Sequence, residues 1–317
     1  MNILVCGTNY GASYLRALSF GDEELKIAGI LSTGSERSRS YAASLNIPHY
    51  TSISEIPEGS IDIACVAVAG EVGSELSQAL LNQGIHVIAE HPIDAQQMQT
   101  ALELAQSKGL IFQVNAHFAD LQAPQAFFQA MNTARQMSSP LHYSLSVNLR
   151  TLYSGLDLLG RGNGSLQGAK VQVLGENKPE LFKQLTIQLG DVCVALLCQN
   201  FSSEHDDGSA NLINHRLDAV FGHGNLLLAE TNGPVFWFPS PTSMPTESWK
   251  SSLPVDMSNL SSMELTQQRD YANLVTLKSM AAVIRGEQPP IHQHPSYLQA
   301  LAQLWQDCLT ELSKANQ

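Results

Sequence analysis

Asn2-Ile3-Leu4-Val5-Cys6-Gly7-Thr8-Asn9-Tyr10-Gly11-Ala12-Ser13-Tyr14-Leu15 decides how the rest of the chain is read. The apolar run from Ile3 to Cys6 stops at Gly7, Gly11 comes four residues later, and a segment of helical character begins behind it. That order is strand, tight turn, helix. Such a turn aims backbone N–H groups and a helix N-terminus at a phosphate. The three-glycine dinucleotide fingerprint is reduced here to two glycines, with Asn9 where the middle one belongs. A glycine turn after a strand also occurs in folds that bind nothing there, so its meaning depends on the residues C-terminal to it.

Those residues alternate between strand and helix character. Residues 25–31 and 61–68 are near-continuous apolar runs, the mark of parallel strands buried on both faces. Residues 86–90 and 111–115 read as two more strands, with helices expected over 35–45, 73–82 and 95–107. Ser35 is a fitting N-cap for the first of these. This rhythm predicts a doubly wound parallel sheet. It changes near residue 118. After a helix at 121–136 come alternating segments at 142–149, 169–174, 185–197, 213–220, 225–230 and 235–238. They predict an open, mostly antiparallel sheet. Residues 239–262, rich in Pro, Ser and Thr, read as a loop, and helices at 264–285 and 296–314 close the chain. The fold class is α/β: a Rossmann domain at 1–118, then an α+β domain for substrate and oligomerisation at 119–317.

Composition narrows the function. The chain has 317 residues and a formal net charge of −12, which argues against nucleic acid as a partner. No apolar run approaches the roughly 20 residues of a membrane span, and no signal peptide is visible at the start. The five cysteines form no C-x-x-C pair, and Cys6 and Cys65 fall inside buried strands. A reduced, cytoplasmic protein is expected. His292 and His294 have no acidic or thiol ligand alongside, so no metal is expected.

The residues that carry chemistry sit where the strands end. Gly7, Thr8, Asn9, Tyr10 and Gly11 are expected around the pyrophosphate, with Ala69, Glu90, His91 and Asn115 at the ends of later strands. After the second strand an acidic residue would select NAD by bonding the ribose 2′-OH. This chain has Ser32-Thr33-Gly34-Ser35-Glu36-Arg37-Ser38 instead. Small hydroxyl residues and a cation suit a 2′-phosphate, so NADPH is the expected cofactor, through Ser32, Thr33, Gly34, Ser35, Arg37 and Ser38. The other reading is a plain helix cap with a solvated basic face. Glu90-His91-Pro92 leaves its strand toward the same edge. His91 can carry the proton that hydride delivery to a C=N or C=O requires. His117, in Asn115-Ala116-His117-Phe118, is a second candidate acid or a substrate contact, with a bonded hinge histidine as the alternative.

A Rossmann domain, a Glu-x-Pro element and an open-sheet domain resemble the Gfo/Idh/MocA oxidoreductase family. That family usually carries Glu-Lys-Pro and a His-x-x-Asp element. Here His91 replaces the lysine, Ser154 stands for the histidine, and Asp157 keeps the aspartate. One branch with Glu-His-Pro, the thiazolinyl imide reductases of siderophore assembly (pyochelin and yersiniabactin type), is similar over nearly the whole chain. The shared stretches are Gly7, Gly11, Tyr14 and Leu15; Gly34-Ser35-Glu36-Arg37-Ser38-Arg39; Glu90-His91-Pro92; Leu152-Tyr153-Ser154 with Leu156-Asp157-Leu158-Leu159; His215-Arg216-Leu217; Gly233-Pro234-Val235; and Leu304-Trp305-Gln306.

The resemblance implies NADPH-dependent reduction of a thiazoline C=N to a thiazolidine. It implies a substrate held as a thioester on a carrier domain of a non-ribosomal peptide synthetase. His91 and His117 are then the catalytic candidates, and Tyr153, Asp157 and His215 the substrate contacts. A tyrosine that the branch has after the last Rossmann strand is Phe118 here, which cannot donate a proton. A homodimer is expected, because an open sheet commonly buries its free face in a partner. Two other readings remain: a related oxidoreductase acting on another imine, a carbonyl or a modified sugar, and a non-catalytic NADP-binding protein.

Overall fold

The structure is a computed structural model and describes residues 1–21, 23–173, 181–200, 211–240 and 261–314. The chain forms two compact units, one of residues 1–117 and 265–299, the other of residues 118–264 and 300–317.

In the first unit strands and helices alternate. They are β1 (Asn2–Cys6), α1 (Ala12–Ser19), β2 (Lys26–Leu31), α2 (Glu36–Leu45), β3 (His49–Tyr50), β4 (Ile63–Val66), α3 (Gly70–Asn82), β5 (His86–Glu90), α4 (Ala95–Ser107) and β6 (Phe112–Asn115). The sheet order is β3-β2-β1-β4-β5-β6, with every pairing parallel. All strands therefore end at one edge. The chain crosses from β3 to β4 on the far side of β1, so the direction of winding reverses between β1 and β4. Dinucleotides bind at such a reversal in sheets of this order.

Period-two alternation sends Ile3, Val5, Ile63, Cys65 and Ile88 to one face, against Tyr14, Leu15 and Leu18 of α1. Leu274, Leu277, Met280 and Ala281 complete this core. These four lie on α7 (Ser262–Ile284), which the sequence reading assigned to the second domain. Burying their apolar side chains against the parallel sheet is what brings the helix back, and the first unit is discontinuous in sequence as a result.

The second unit holds α5 (Gln122–Arg135), β7 (His142–Asn148), α6 (Leu152–Asn163), β8 (Lys170–Val173), β9 (Phe182–Leu189), β10 (Val192–Gln199), β11 (His215–Phe221), β12 (Gly224–Leu228) and β13 (Val235–Pro239). The last helix, α8 (Pro295–Ser313), is divided between the units at residues 299 and 300. The sheet order is β13-β12-β11-β7-β10-β9-β8. Neighbours are antiparallel except β7 with β10. One face buries Tyr143, Leu145, Val147, Leu217 and Ala219.

The stretch at 185–197 is a hairpin rather than one segment, and α6 is a helix that the sequence reading did not expect. The proline- and serine-rich stretch at 239–262 falls almost entirely outside the described residues. All five cysteines are free, and Cys6, Cys65, Cys198 and Cys308 are buried. Among the described residues no helix is long and apolar enough to cross a membrane, and no cluster of three His, Cys, Asp or Glu could hold a metal.

Candidate active site

Gly7 closes β1 with φ +84°, a left-handed conformation that glycine adopts without strain, and its N–H donates to Leu31 O at 2.8 Å. Gly11 then packs so tightly over the turn that a Cβ there would lie 2.0 Å from Gly7 O. The consequence is a helix start pressed against the strand end. No side chain caps α1, whose N-cap is Gly11, or α3, whose N-cap is Ala69. These two helices begin on either side of the winding reversal. By contrast Ser35 Oγ caps α2 through Ser38 N, and Asp94 caps α4 through Gln97 N. Uncapped first-turn N–H groups at this edge, with Asn9 and Gly70 exposed beside them, fit a pyrophosphate.

The loop after β2 divides the residues read as a 2′-phosphate site. Thr33, Ser35 and Arg37 are exposed. Ser32 is half-buried, with its hydroxyl on Ser38 Oγ at 2.7 Å and on His49 Nε2 at 2.9 Å. Ser38 is fully buried and donates to Ser35 O at 2.8 Å. Its hydroxyl is therefore occupied in shaping the loop. Thr33 and Arg37 are left as exposed side chains that can face a phosphate, together with Ser35, whose exposed hydroxyl also accepts from Ser38 N and donates to Ser38 Oγ at 3.1 Å.

At the ends of β5 and β6 two imidazoles stand with ring centroids 6.5 Å apart. His91 Nδ1 lies 2.7 Å from Asn115 O. A carbonyl only accepts, so Nδ1 carries the hydrogen and Nε2 is the atom that gains or loses a proton. Burial pushes the His91 pKa down, and the bond to Asn115 O opposes this. His117 is buried, with Nδ1 2.8 Å from the Tyr10 hydroxyl.

Glu90 and Asn115 lie one layer beneath this edge. Glu90 Oε1 accepts from the Tyr14 hydroxyl and from Asn115 Nδ2, the latter at 2.8 Å. Its Oε2 lies 4.0 Å from His91 Nδ1. Burial raises the Glu90 carboxyl to about 7, against the two hydrogen bonds that favour its ionised form.

This sets a stability signature. A carboxyl whose folded pKa exceeds its unfolded value holds more protons when folded. Its contribution to stability is present below the unfolded value and is lost as pH rises through about 7. Glu90→Gln keeps the shape and does not titrate. Between about pH 5 and about pH 8 the variant is expected to lose less Tm than the wild type, read by calorimetry at fixed ionic strength. Equal losses would mean that Glu90 does not titrate in that range.

The residues read as substrate contacts are all buried in the second unit. His215 bridges Ser154 Oγ at 2.8 Å and Thr231 Oγ1 at 2.8 Å, with the Phe118 ring centroid 4.8 Å away. Asp157 pairs with Arg161 at 2.9 Å, and Arg161 with Asp120 at 3.0 Å. Tyr153 packs edge-on against Trp305, ring centroids 5.9 Å apart. These bonds brace α6 against β11 and α8. The place where Ser154 stands for the family histidine thus receives an imidazole from another strand.

Residues 1–116 match the family model described as an oxidoreductase family with an NAD-binding Rossmann fold (Gfo/Idh/MocA). Residues 138–238 match the C-terminal domain model of the thiazolinyl imine reductase Irp3-like family. A search of the curated proteins finds no match. Among solved structures the chain is similar to UDP-N-acetylglucosamine 3-dehydrogenase from Acidithiobacillus ferrooxidans, with a TM-score of 0.70, 12% identity, and 98% of this chain and 96% of that one covered. It is also similar to the 3-ketoreductase KijD10 from Actinomadura kijaniata in complex with NADP, with a TM-score of 0.68, 15% identity and 96% of each chain covered. A third is an oxidoreductase from Agrobacterium radiobacter in complex with NAD+, L-tartaric acid and magnesium, with a TM-score of 0.70, 10% identity, and 98% and 97% covered. At these identities the likeness is one of fold. The matches at residues 1–116 and 138–238 together mark the chain as a Gfo/Idh/MocA-type oxidoreductase with a thiazolinyl imine reductase-like C-terminal domain.

Proposed function

We propose that the chain is an NADPH-dependent reductase of a thiazoline C=N, giving a thiazolidine, with the substrate held as a thioester on a carrier domain of a non-ribosomal peptide synthetase. The observation that carries this reading is His91. It puts an imidazole where sugar-oxidising relatives are expected to have lysine, in a chain whose second half matches the thiazolinyl imine reductase model.

Bound at the strand edge, the nicotinamide supplies a hydride to the ring carbon. The protein supplies the proton for the ring nitrogen. His91 is held by its Nδ1 hydrogen on Asn115 O, so its second proton sits on Nε2 and leaves from there. His117 is the second imidazole at the edge. Gly7, Thr8, Asn9, Tyr10, Gly11 and Ala69 form the pyrophosphate turn, and Thr33, Ser35 and Arg37 take the 2′-phosphate. The enzyme works in the cytoplasm as a homodimer.

The test is NADPH oxidation by purified protein with a small thiazoline or a carrier-bound intermediate. Absence of turnover with any thiazoline would sink the reading. Robust oxidation of a sugar or polyol would favour the other reading, a related oxidoreductase of carbonyls or modified sugars. Cofactor choice has its own test. Arg37→Ala is expected to raise KM for NADPH on the order of tenfold, about one charge-assisted hydrogen bond at an exposed site, with KM for NADH unmoved. Equal effects on both cofactors would remove Arg37 from the phosphate site.

A further inference from the structure

The sequence reading places no functional residue on α7. In the structure Asn273 of that helix is 0% exposed and joins three other elements. Its Nδ2 donates to Ser13 Oγ at 2.5 Å, and its Oδ1 accepts from Asn115 Nδ2 at 2.7 Å. The Tyr10 hydroxyl lies 3.5 Å from the same Oδ1.

The sense of these bonds is fixed from outside. Arg16 holds Asp270 through two bonds of 2.7 and 2.9 Å, so Asp270 is an acceptor only. It accepts from Ser13 Oγ at 2.8 Å. The serine hydrogen is thereby committed, and Ser13 must accept from Asn273 Nδ2. This settles which end of the carboxamide is which and turns Oδ1 toward Asn115 and Tyr10. From there His117 is one residue away, through the Tyr10 hydroxyl. Asn115 takes His91 Nδ1 on its carbonyl, while its side chain meets Glu90 and the Tyr14 hydroxyl, the latter at 2.7 Å. Tyr10 meets His117 Nδ1 at 2.8 Å.

We infer that Asn273 is a positioning residue for His117: its carboxamide, oriented by the Arg16–Asp270–Ser13 chain, takes the Tyr10 hydroxyl hydrogen on Oδ1, so that the Tyr10 oxygen accepts from His117 Nδ1 and that ring is held in a defined hydrogen-bonding state. The inference rests on the reading that the edge histidines handle the proton. Its own consequence, a fixed state of the His117 ring, can be read with neither cofactor nor turnover.

Asn273→Leu keeps the volume and removes both polar ends. Asn273→Asp keeps the acceptors, loses the donor to Ser13 and adds a carboxylate. ¹⁵N NMR of the histidine side chains in cofactor-free protein, assigned with His91→Gln and His117→Gln, reports which ring nitrogen carries hydrogen. Wild type is expected to show both rings as single forms with hydrogen on Nδ1. In Asn273→Leu the His117 signal is expected to shift and average between tautomers, while His91, held by the main-chain carbonyl of Asn115, serves as the internal reference.

In the kinetic arm kcat should fall at least about tenfold, a fraction of what loss of a proton donor costs, with KM for NADPH within about twofold. The midpoint of the kcat–pH profile should move, and in Asn273→Asp it should move upward, because a nearby carboxylate favours imidazolium. An unmoved His117 signal and an unmoved midpoint in folded Asn273→Leu would overturn the inference, whatever its rate. Should neither variant fold, Ser13→Ala removes the orienting partner at little change of volume and is expected to produce the same shifts, smaller. A wild type without turnover would count against the reductase reading and leave the NMR arm to decide this one.

Discussion

His91→Gln is expected to lower kcat on the order of 10²–10⁴-fold while the Kd for NADPH stays near its wild-type value. Glutamine can still donate to Asn115 O from its amide, so the loop between β5 and α4 keeps its tie to β6. What it lacks is an exchangeable proton on a basic nitrogen. The loss should therefore appear in the step that protonates the ring nitrogen rather than in cofactor capture, and kcat and kcat/KM should fall together. The pH profile of the wild type belongs to the same prediction. Burial holds the His91 pKa below its usual value. The imidazolium fraction, and kcat with it, should decline as pH rises through that lowered value and be greatest beneath it. Stopped-flow NADPH oxidation across pH and a fluorescence titration of NADPH supply both measurements. An unchanged rate in His91→Gln would take the acid role from His91.

Gly11→Ala is expected to cost at least about 3 kcal/mol of stability and to abolish cofactor binding, the upper end of what overpacking does. The new Cβ would meet Gly7 O at 2.0 Å and Val5 Cγ1 at 2.9 Å. The first of these is backbone and cannot rotate aside. Relief requires Gly7 to leave its φ of +84°, which moves the end of β1 or the start of α1. Gly70→Ala is the control. Gly70 also has positive φ, +73°, but nothing lies within 4 Å of its added Cβ. Its cost should be only the strain of a left-handed alanine, about 1–2 kcal/mol. Denaturation midpoints and NADPH titrations distinguish the two. A Gly11→Ala protein of wild-type stability that still binds NADPH would show that the turn is looser than the packing implies.

The parallel half of the fold was legible because strands buried on both faces leave short continuous apolar runs, and because Ser35 marks the start of α2. At residues 185–197 the buried apolar positions are odd up to Leu189 and even from Val194, and this change of parity across Gly190-Asp191 marks the turn that joins β9 to β10, passed over when the stretch is read as one segment. The helix α6 was hidden because Leu152 to Gly160 is buried throughout, its polar Ser154 and Asp157 included, and because its glycines weaken the helical signal.

The placing of His91 and His117 at one edge was legible, because both follow strand ends, and the structure sets their ring centroids 6.5 Å apart. Glu90, Asn115 and Ser38 were read as cofactor contacts, yet the structure gives their side chains internal bonds. From sequence the direction of a side chain at a strand end depends on parity, and a one-residue difference turns it from the crevice to the layer below. Asn273 had no signal at all. It lies 158 residues from Asn115, and only tertiary packing brings the two carboxamides together.

The core shared by β1, β4, β5 and α7 bears on the order in which the protein can be made. A chain leaving the ribosome presents Ile3, Val5, Cys65 and Ile88 long before Leu274, Leu277 and Met280 exist to cover them. The parallel-sheet half therefore emerges ahead of α7 and cannot complete its core until that helix follows. The same helix brings Asn273 and Asp270, so closure of that core and assembly of the polar network around Glu90 and His117 become a single event.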